Sequence, residues 1–250
     1  MMQIKKHLPN ALTLANLLAG SVAVISAANG DYETAGLLVI LGIFFDFLDG
    51  FAARMLGVTG ELGKQLDSLA DMVTSGVVPG VVMFSLLQEN SLNRFNGAFD
   101  PIQIASFSTG YLPHIGFILT LAAGYRLAKF NIDTRQSDTF IGMPTPAMSL
   151  FVISLPLIVD HSNNEFFINL IQHNYFLIGV VLVLSFLMNA EIPLFSLKFK
   201  NYTLKKNLLK YVFLVSSLLL IVFLEFIAIP LVILLYVVLS LGNNAVNRTT

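Results

Sequence analysis

The sequence predicts an all-α membrane protein that crosses the bilayer several times, and three observations support this fold class. Hydrophobic residues make up 56% of the 250-residue chain and charged residues only 12%, about half the charged fraction of an ordinary soluble domain. The mean hydropathy is +0.78. The apolar residues stand in long blocks rather than in amphipathic or alternating patterns, which is typical of membrane-spanning helices.

The apolar blocks divide into about eight candidate spans. A helix needs about 20 mostly apolar residues to cross the hydrocarbon core. The last two blocks are separated only by a tight turn at Glu225 and Pro230. The predicted spans are residues 8–28, 32–56, 66–87, 102–128, 144–160, 173–190, 207–224 and 226–242.

The first apolar block has two interpretations. Lys5 and Lys6, the apolar stretch and the small residues of "SAANG" resemble a cleaved signal peptide. Asn10, Thr13 and Asn16 interrupt the stretch, however, and further hydrophobic blocks follow it. We therefore favour a first helix that is retained.

Basic residues predict how the chain is oriented. Cytoplasmic segments carry an excess of Lys and Arg. With both termini in the cytoplasm, only Arg94 of the 14 basic residues lies outside. The residues predicted to be cytoplasmic are Lys5, Lys6, Arg54, Lys64, Arg126, Lys129, Arg135, Lys198, Lys200, Lys205, Lys206, Lys210 and Arg248.

Composition excludes several classes of function. The chain has no cysteine, so disulfides, thiolate zinc sites and a cysteine nucleophile are excluded. Its net charge of −1 gives no indication of a nucleic-acid partner. The four histidines share no spacing typical of metal ligands and are interpreted as loop or interface residues.

Four aspartates stand in the polar stretch "DFLDGFAARMLGVTGELGKQLDSLAD". Asp46 and Asp49 are three residues apart, and Asp67 and Asp71 are four apart, so each pair lies on one face of a helix. The glycine-rich "GVTGELG" between the pairs suits a turn between antiparallel helices. The two acidic faces can therefore converge.

The depth of these aspartates predicts a cation site. Asp46 lies twelve residues after Thr34, or about 18 Å along a helix, which is below the surface of a core of about 30 Å. A carboxylate there costs at least about 2.5 kcal/mol, and neighbouring carboxylates take up protons unless a cation is present. Oxygen ligands favour Mg²⁺ or Mn²⁺, and Ca²⁺ also accepts them.

Two other interpretations of the aspartates remain. They could be ordinary helix ends paired with Arg54 or Lys64, or they could line an ion or proton pathway, since intramembrane acids also mark transporters. Small residues beside the acids favour a bulkier ligand that approaches the backbone. These residues are Gly50, Ala52, Ala53 and Gly63.

The stretch resembles the signature of the CDP-alcohol phosphotransferase family. It has the pattern D-x2-D-G-x2-A-R-x8-G-x3-D-x3-D and matches every position of that signature. The resemblance implies an integral membrane enzyme that transfers a substituted phosphoryl group from a CDP-activated lipid or alcohol to a hydroxyl and releases CMP. The matched residues are Asp46, Asp49, Gly50, Ala53, Arg54, Gly63, Asp67 and Asp71.

The resemblance also assigns roles to residues. It implies that one or two divalent metals neutralise the charge of the pyrophosphate, and that Asp71 is both a metal ligand and the general base for the attacking hydroxyl. The implied metal ligands are Asp46, Asp49, Asp67 and Asp71. The residues expected to bind CDP-diacylglycerol are Asn10, Thr13, Asn16, Gly50, Ala53, Arg54, Gly63 and Ser68.

Four of these assignments have alternatives. Asn10, Thr13 and Asn16 form one polar stripe in "PNALTLANLLAG", which either contacts the nucleotide or supplies hydrogen bonds between helices. Arg54 could pair with a phosphate or with Asp46.

Further stretches resemble the phosphatidylserine synthase branch, which uses CDP-diacylglycerol and L-serine. They are "SLADMVTSGVVPG", "YRLAKFN" and "FIGMPTPA", and the resemblance covers roughly residues 5–160. The residues expected to bind serine are Arg126, Lys129, Asn131 and Thr145. The two cations could instead only anchor the chain on its cytoplasmic side, and the acceptor could be glycerol 3-phosphate, an inositol phosphate or choline.

The resemblance extends to domain organisation and surroundings. We expect residues 1–160, with about five spans, to form the catalytic core, and residues 161–250 to add helices to the same integral domain. A homodimer and membrane lipids as partners are implied as well. The distribution of basic residues predicts an inner or cytoplasmic membrane with the active site facing the cytoplasm.

Overall fold

Helices account for most of the described chain. The computed structural model describes residues 2–95, 110–133, 140–195 and 203–249. Within these ranges the α-helices are α1 (Met2–Ala28), α2 (Tyr32–Leu56), α3 (Glu61–Asp71), α4 (Val78–Phe95), α5 (Phe117–Ile132), α6 (Thr145–His161), α7 (Glu165–Ile171), α8 (Asn174–Asn189), α9 (Leu204–Leu224) and α10 (Ala228–Thr249).

The first two helices form a tight hairpin. Gly30 has a φ of 76° in the connecting turn, a conformation that glycine adopts without strain. The Asp31 carboxylate then accepts a hydrogen bond of 3.1 Å from the backbone N–H of Thr34 and so caps α2. At its other end, α2 terminates at Gly57, whose φ of 63° lets the chain turn towards α3.

The helix that follows contains a wider turn in its middle. A π-helical segment, Met72–Val77, joins α3 to α4 without a break. It begins directly after Asp71, and its residues Thr74, Ser75 and Gly76 are buried. Such single wide turns are often found at functional sites.

The middle of the chain is closed by a short strand pair. A 3₁₀ turn, Leu112–Gly116, leads into α5. Between α5 and α6, β1 (Phe140–Ile141) pairs antiparallel with β2 (Pro193–Leu194). Gly142 has a φ of 75°, and a side chain there would also collide with the Met188 carbonyl. This crossing therefore requires glycine.

The last two helices fold back on each other. A 3₁₀ turn, Glu225–Ile227, separates α9 from α10, and Glu225 has a positive φ of 47°. The rings of Phe213 and Tyr236 lie 5.6 Å apart, whereas in one straight helix they would be separated by about 35 Å. The two helices are therefore antiparallel.

One hydrophobic core joins the two parts of the chain. It contains Ala23 and Val39 from the first helices, Met148 from α6, Leu184 from α8 and Ile227 from the last turn. Helix α8, which belongs to the predicted C-terminal addition, thus packs into the same core as α1 and α2. The boundary at residue 160 remains a prediction.

The fold class is confirmed, because the described chain is helical with long apolar helices, but the count of eight spans is not. Within the described ranges, four helices are long and apolar enough to cross a membrane, or five if α7 and α8, bent by 76°, form one span. The four are His7–Ala28, Tyr32–Leu56, Glu61–Leu92 and Asn207–Asn244.

The predicted number of spans exceeds the number in the structure for reasons that differ from helix to helix. Helices α5 and α6 have only 16 and 17 residues, fewer than the about 20 that a perpendicular span requires. Part of the predicted span 102–128 lies outside the described residues. The Asn207–Asn244 run is counted once among the four, although the turn at Glu225 divides it into the antiparallel helices α9 and α10, which correspond to the predicted spans 207–224 and 226–242.

Candidate active site

Three aspartates converge where α2 and α3 meet. Carboxylate oxygens of Asp46, Asp49 and Asp67 all lie within 4.8 Å of one another, and we call these three residues the carboxylate cluster. The first two lie one turn apart on α2, and the turn after Gly57 brings α3 back alongside, so that Asp67 faces them. The predicted convergence of the two acidic faces is therefore present.

The carboxylate cluster suits a divalent cation. Asp49 is buried, and its Oδ2 accepts a hydrogen bond from the Thr13 hydroxyl. Oδ1 of Asp67 is buried and has no hydrogen-bond partner. An unpartnered carboxylate oxygen in such a place is costly, and a cation would compensate it. Because the donors are all carboxylate oxygens, the site fits Mg²⁺ or Mn²⁺ rather than a softer metal.

Asp71 is not one of the three members of the carboxylate cluster but lies close enough to interact electrostatically with all of them. It is one turn further along α3 than Asp67. Its Oδ1 accepts a hydrogen bond of 3.2 Å from Nδ2 of Asn16. Its role as a further metal ligand remains a prediction.

A cavity of about 360 Å³ opens beside the carboxylate cluster. Two of the cluster's aspartates, Asp49 and Asp67, form part of its wall. Six of the eight residues expected to bind CDP-diacylglycerol also line it. They are Asn10, Thr13, Gly50, Ala53, Arg54 and Gly63.

The small residues widen this cavity. A methyl group at Gly50 would lie 3.9 Å from the guanidinium nitrogens of Arg54, and one at Gly63 would lie 3.6 Å from Oδ1 of Asn10. Any larger side chain at these two positions would extend into the space that Arg54 and Asn10 border. The choice of glycine thus keeps room beside the carboxylates.

The Arg54 side chain is exposed at the cavity wall. Within the described ranges this side chain makes no ion pair with Asp46 or with any other acid. The alternative pairing of Arg54 with Asp46 is therefore not present in the described chain, and its contact with a phosphate remains a prediction.

The other two predicted substrate residues lie away from the cavity wall. Asn16 is completely buried and bonds to Asp71 and Thr74. Ser68 donates to the Lys64 carbonyl at 3.2 Å and accepts from Nδ2 of Asn131 at 2.8 Å. Both residues hold protein groups in place, and their contact with substrate remains a prediction.

The residues expected to bind serine do not form one pocket. Arg126 and Lys129 line a small cavity with Asn189, but Asn131 points to Ser68 and Thr145 is buried at the start of α6.

Arg126 is the residue of this group with unused hydrogen-bonding capacity. It is buried, its Nε has no hydrogen-bond partner, and its Nη2 donates to the Gly142 carbonyl at 3.4 Å. Lys129 instead pairs with Glu191 at 3.2 Å.

The sequence analysis assigned no place at the site to Thr74 and considered Lys64 only as an ion-pair partner of the aspartates. Lys64 lines the cavity, and its ammonium donates to the Asn131 carbonyl, so it links α3 to α5. It precedes Asp67 by three residues and therefore shares that helix face, a pattern that could have revealed it. Thr74 contacts Asn16, and no sequence pattern singles it out.

Comparisons with known proteins identify a family and several relatives of this chain. A family model described as CDP-alcohol phosphatidyltransferase matches residues 6–188. A CDP-diacylglycerol--serine O-phosphatidyltransferase of Bacillus subtilis (strain 168) is 33% identical over 153 residues, which cover 60% of this chain and 75% of that protein.

Two further relatives belong to distant organisms. A CDP-diacylglycerol--serine O-phosphatidyltransferase of Helicobacter pylori (strain J99) is 30% identical over 208 residues, covering 82% of this chain and 79% of that protein. An archaetidylserine synthase of Methanothermobacter thermautotrophicus is 29% identical over 153 residues, covering 60% of this chain and 58% of that protein.

Proposed function

The chain belongs to the CDP-alcohol phosphatidyltransferase family, and from that premise we propose that it transfers the phosphatidyl group of CDP-diacylglycerol to the hydroxyl of L-serine. The products are phosphatidylserine and CMP. The observation that carries the proposal is the assembly of the signature aspartates beside one cavity. The choice of serine rests on relatives of bacterial origin that are named for that acceptor.

The carboxylate cluster would hold one or two Mg²⁺ or Mn²⁺ ions. Asp46, Asp49 and Asp67 supply the ligands, and the unpartnered Oδ1 of Asp67 supports this assignment. When bound, the metal neutralises charge on the pyrophosphate and on the departing CMP. Thr13 keeps Asp49 in place by donating to its Oδ2.

The cavity would take the CDP group of the lipid. Gly50 and Gly63 leave room beside the carboxylates, and Arg54 and Lys64 bring two positive charges to the same wall. Cations around a diphosphate form strong charge-assisted hydrogen bonds. The acyl chains would remain in the bilayer, which α2 faces with exposed residues such as Phe44 and Phe47.

Asp71 would act as the general base. Its single side-chain hydrogen bond in the described chain goes to Oδ1, from Asn16. Oδ2 is therefore left to accept the proton of the attacking serine hydroxyl. The proton leaves the hydroxyl as its oxygen attacks the phosphorus, and the bond from phosphorus to the CMP oxygen breaks.

Serine would bind through its carboxylate. Arg126 is the best-supported partner, because its buried guanidinium has an unpartnered Nε that suits a carboxylate. The adjoining space has only about 20 Å³, so the acceptor pocket must open for serine to enter. Lys129 lines the same small space, and contact of Asn131 and Thr145 with serine remains a prediction.

The apolar helices identify an integral membrane protein, and we propose further features of its organisation. The excess of basic residues on one side supports a cytoplasmic active site and cytoplasmic termini in the inner membrane. Residues 1–160 would form the catalytic core, with residues 161–250 as added helices. A homodimer remains an expectation from the family resemblance.

Release of CMP by the purified protein tests the proposal. Detergent-solubilised protein receives CDP-diacylglycerol with Mn²⁺ or Mg²⁺, and L-serine, glycerol 3-phosphate, inositol 1-phosphate or choline in parallel. Asp67→Asn serves as the blank. We expect CMP that depends on serine and disappears in the blank.

Other outcomes would contradict the proposal at different levels. CMP released with another acceptor would preserve the reaction class but refute the choice of serine. If folded protein released no CMP with any acceptor, the proposed chemistry would be wrong. Cation or proton flux into vesicles would then indicate the alternative, a transporter.

A further inference from the structure

A buried polar contact lies where α1, α2 and the π-helical turn cross. Asn16 of α1 and Thr74 of the turn are 0% and 1% exposed. The Thr74 hydroxyl lies 2.7 Å from Oδ1 of Asn16 and 3.2 Å from the Asn16 carbonyl. The opposite end of the Asn16 amide, Nδ2, donates to Oδ1 of Asp71 at 3.2 Å.

This arrangement fixes the orientation of the Asn16 amide. An ionised carboxylate can only accept, so the amide NH₂ faces Asp71 and the amide oxygen accepts from the Thr74 hydroxyl. A rotated amide would bring its oxygen against the Asp71 carboxylate, where two acceptors repel each other. Asp71 thus selects the orientation, the hydrogen bond from Thr74 holds the other end of the amide, and a donor lies at Oδ1 of Asp71.

Close helix packing prevents these groups from moving. A methyl group at Gly42 would lie 2.7 Å from Oδ1 of Asn16 and equally close to Cγ2 of Thr74, and one at Gly20 would overlap the Thr74 hydroxyl. The wide π-helical turn begins directly after Asp71 and carries Thr74 in its middle. The Asn16–Thr74 contact is therefore enclosed by the backbones of α1, α2 and the π-helical turn.

Neither residue belongs to the wall of the cavity that contains Asp49 and Asp67. We infer that Asn16 and Thr74 are positioning residues, which hold the Asp71 carboxylate so that Oδ2 receives the proton of the acceptor hydroxyl. This inference rests on the proposed function. It replaces the expected contact between Asn16 and CDP-diacylglycerol with an action through Asp71.

Kinetics of two variants test the inference, with CMP release as the signal. Thr74→Val keeps the shape but removes the donor, and we expect kcat to fall about tenfold. Asn16→Leu releases Asp71 altogether, and we expect kcat to fall about 100-fold, the cost of a misplaced reacting group. KM for CDP-diacylglycerol should stay within about twofold in both, because neither residue contacts that substrate.

Thr74→Ser and Thr120→Val serve as controls. Thr74→Ser retains the hydroxyl and should restore most of the turnover that Thr74→Val loses. Thr120→Val also removes a half-buried hydroxyl. This hydroxyl of α5 donates at 2.9 Å to the carbonyl of Gly76 in the same π-helical turn but does not contact Asn16. It should keep wild-type kcat, and thermal unfolding in detergent shows that each variant is folded.

Three results would overturn the inference. One is a KM for CDP-diacylglycerol that rises in Asn16→Leu while kcat is unchanged, since that indicates substrate contact. Another is equal turnover in Thr74→Val and Thr120→Val, and the third is a failure of Thr74→Ser to recover activity. Absence of CMP release from the wild-type protein would instead refute the proposed function, so the two failures are distinguishable.

Discussion

The helix that carries Asp67 and the C-terminal helix hairpin reverse the usual relation between hydrophobicity and burial. The apolar 18-residue stretch within Glu61–Leu92 has a mean hydropathy of 1.6 and 61% of it is buried, whereas the corresponding stretch within Asn207–Asn244 has a mean hydropathy of 3.1 and only 17% of it is buried. In a bilayer, the apolar residues can face lipid at no cost, and the polar residues must be enclosed by protein. The more polar of the two helices therefore lies inside.

The two regions also differ in what holds them together. Around Asn16, helices approach so closely that Gly20 and Gly42 admit no side chain, and polar groups bond across the interface, as in many membrane proteins. The hairpin has no such contact at Gly242, where nothing lies within 4 Å of an added methyl group. We expect substitutions in the first region to affect activity and those in the second to have little effect.

The largest expected effect is that of Asp71→Asn. Removing the proposed base should lower kcat by about 10²–10⁴-fold, while the protein remains folded because the amide can still accept from Asn16. CMP release with saturating serine measures the change, and Glu33→Gln, an exposed acid at the start of α2, is the matched control. Near-normal turnover in Asp71→Asn would refute the assignment.

Arg126→Met should have the next largest effect, and on one substrate only. The loss of a charge-assisted hydrogen bond to the serine carboxylate should raise KM for serine about 10–100-fold, with KM for CDP-diacylglycerol unchanged. Lys129→Met should have a smaller effect, since Lys129 is partly exposed and already paired with Glu191. Equal changes in both KM values would indicate that Arg126 supports the fold rather than the acceptor.

A smaller effect, on stability, should distinguish the two regions most directly. Gly42→Ala places a carbon 2.7 Å from Asn16 and Thr74, and such overpacking costs about 1–3 kcal/mol. The same substitution at Gly242 meets no neighbour and favours the helix. Thermal unfolding in detergent should therefore show a lower Tm for Gly42→Ala only. A Tm loss of the same size in Gly242→Ala would contradict the comparison.

The smallest effect is expected for Leu218→Ala in α9. This side chain is 63% exposed, and in the bilayer it would face lipid. We expect unchanged kcat and a shift in Tm smaller than that of Gly42→Ala. A marked loss of activity or stability would show that the hairpin face is covered by protein, for example by a second copy of the chain.

The sequence by itself determined the membrane class, the helical fold and the carboxylate cluster. Composition decides whether a chain enters a bilayer, and the spacing of Asp46 and Asp49, followed by the glycine-rich turn, is local information. The approximate positions of α2, α6 and α8 followed from the same apolar blocks. Gly50, Ala53, Arg54 and Gly63 line the cavity because they share helix faces with the aspartates of α2 and α3, and Asn10 and Thr13 line it from α1.

Tertiary structure alone decided what depends on contacts between distant parts of the chain. Lengths of apolar blocks did not reveal that α7 and α8 bend by 76°, so the number of spans was not fixed. Asn16 bonds to Asp71, 55 residues later, and to Thr74, 58 residues later, and no periodicity encodes such pairs. A polar stripe shows that a helix face is enclosed, but only packing shows whether that face meets the substrate or another helix.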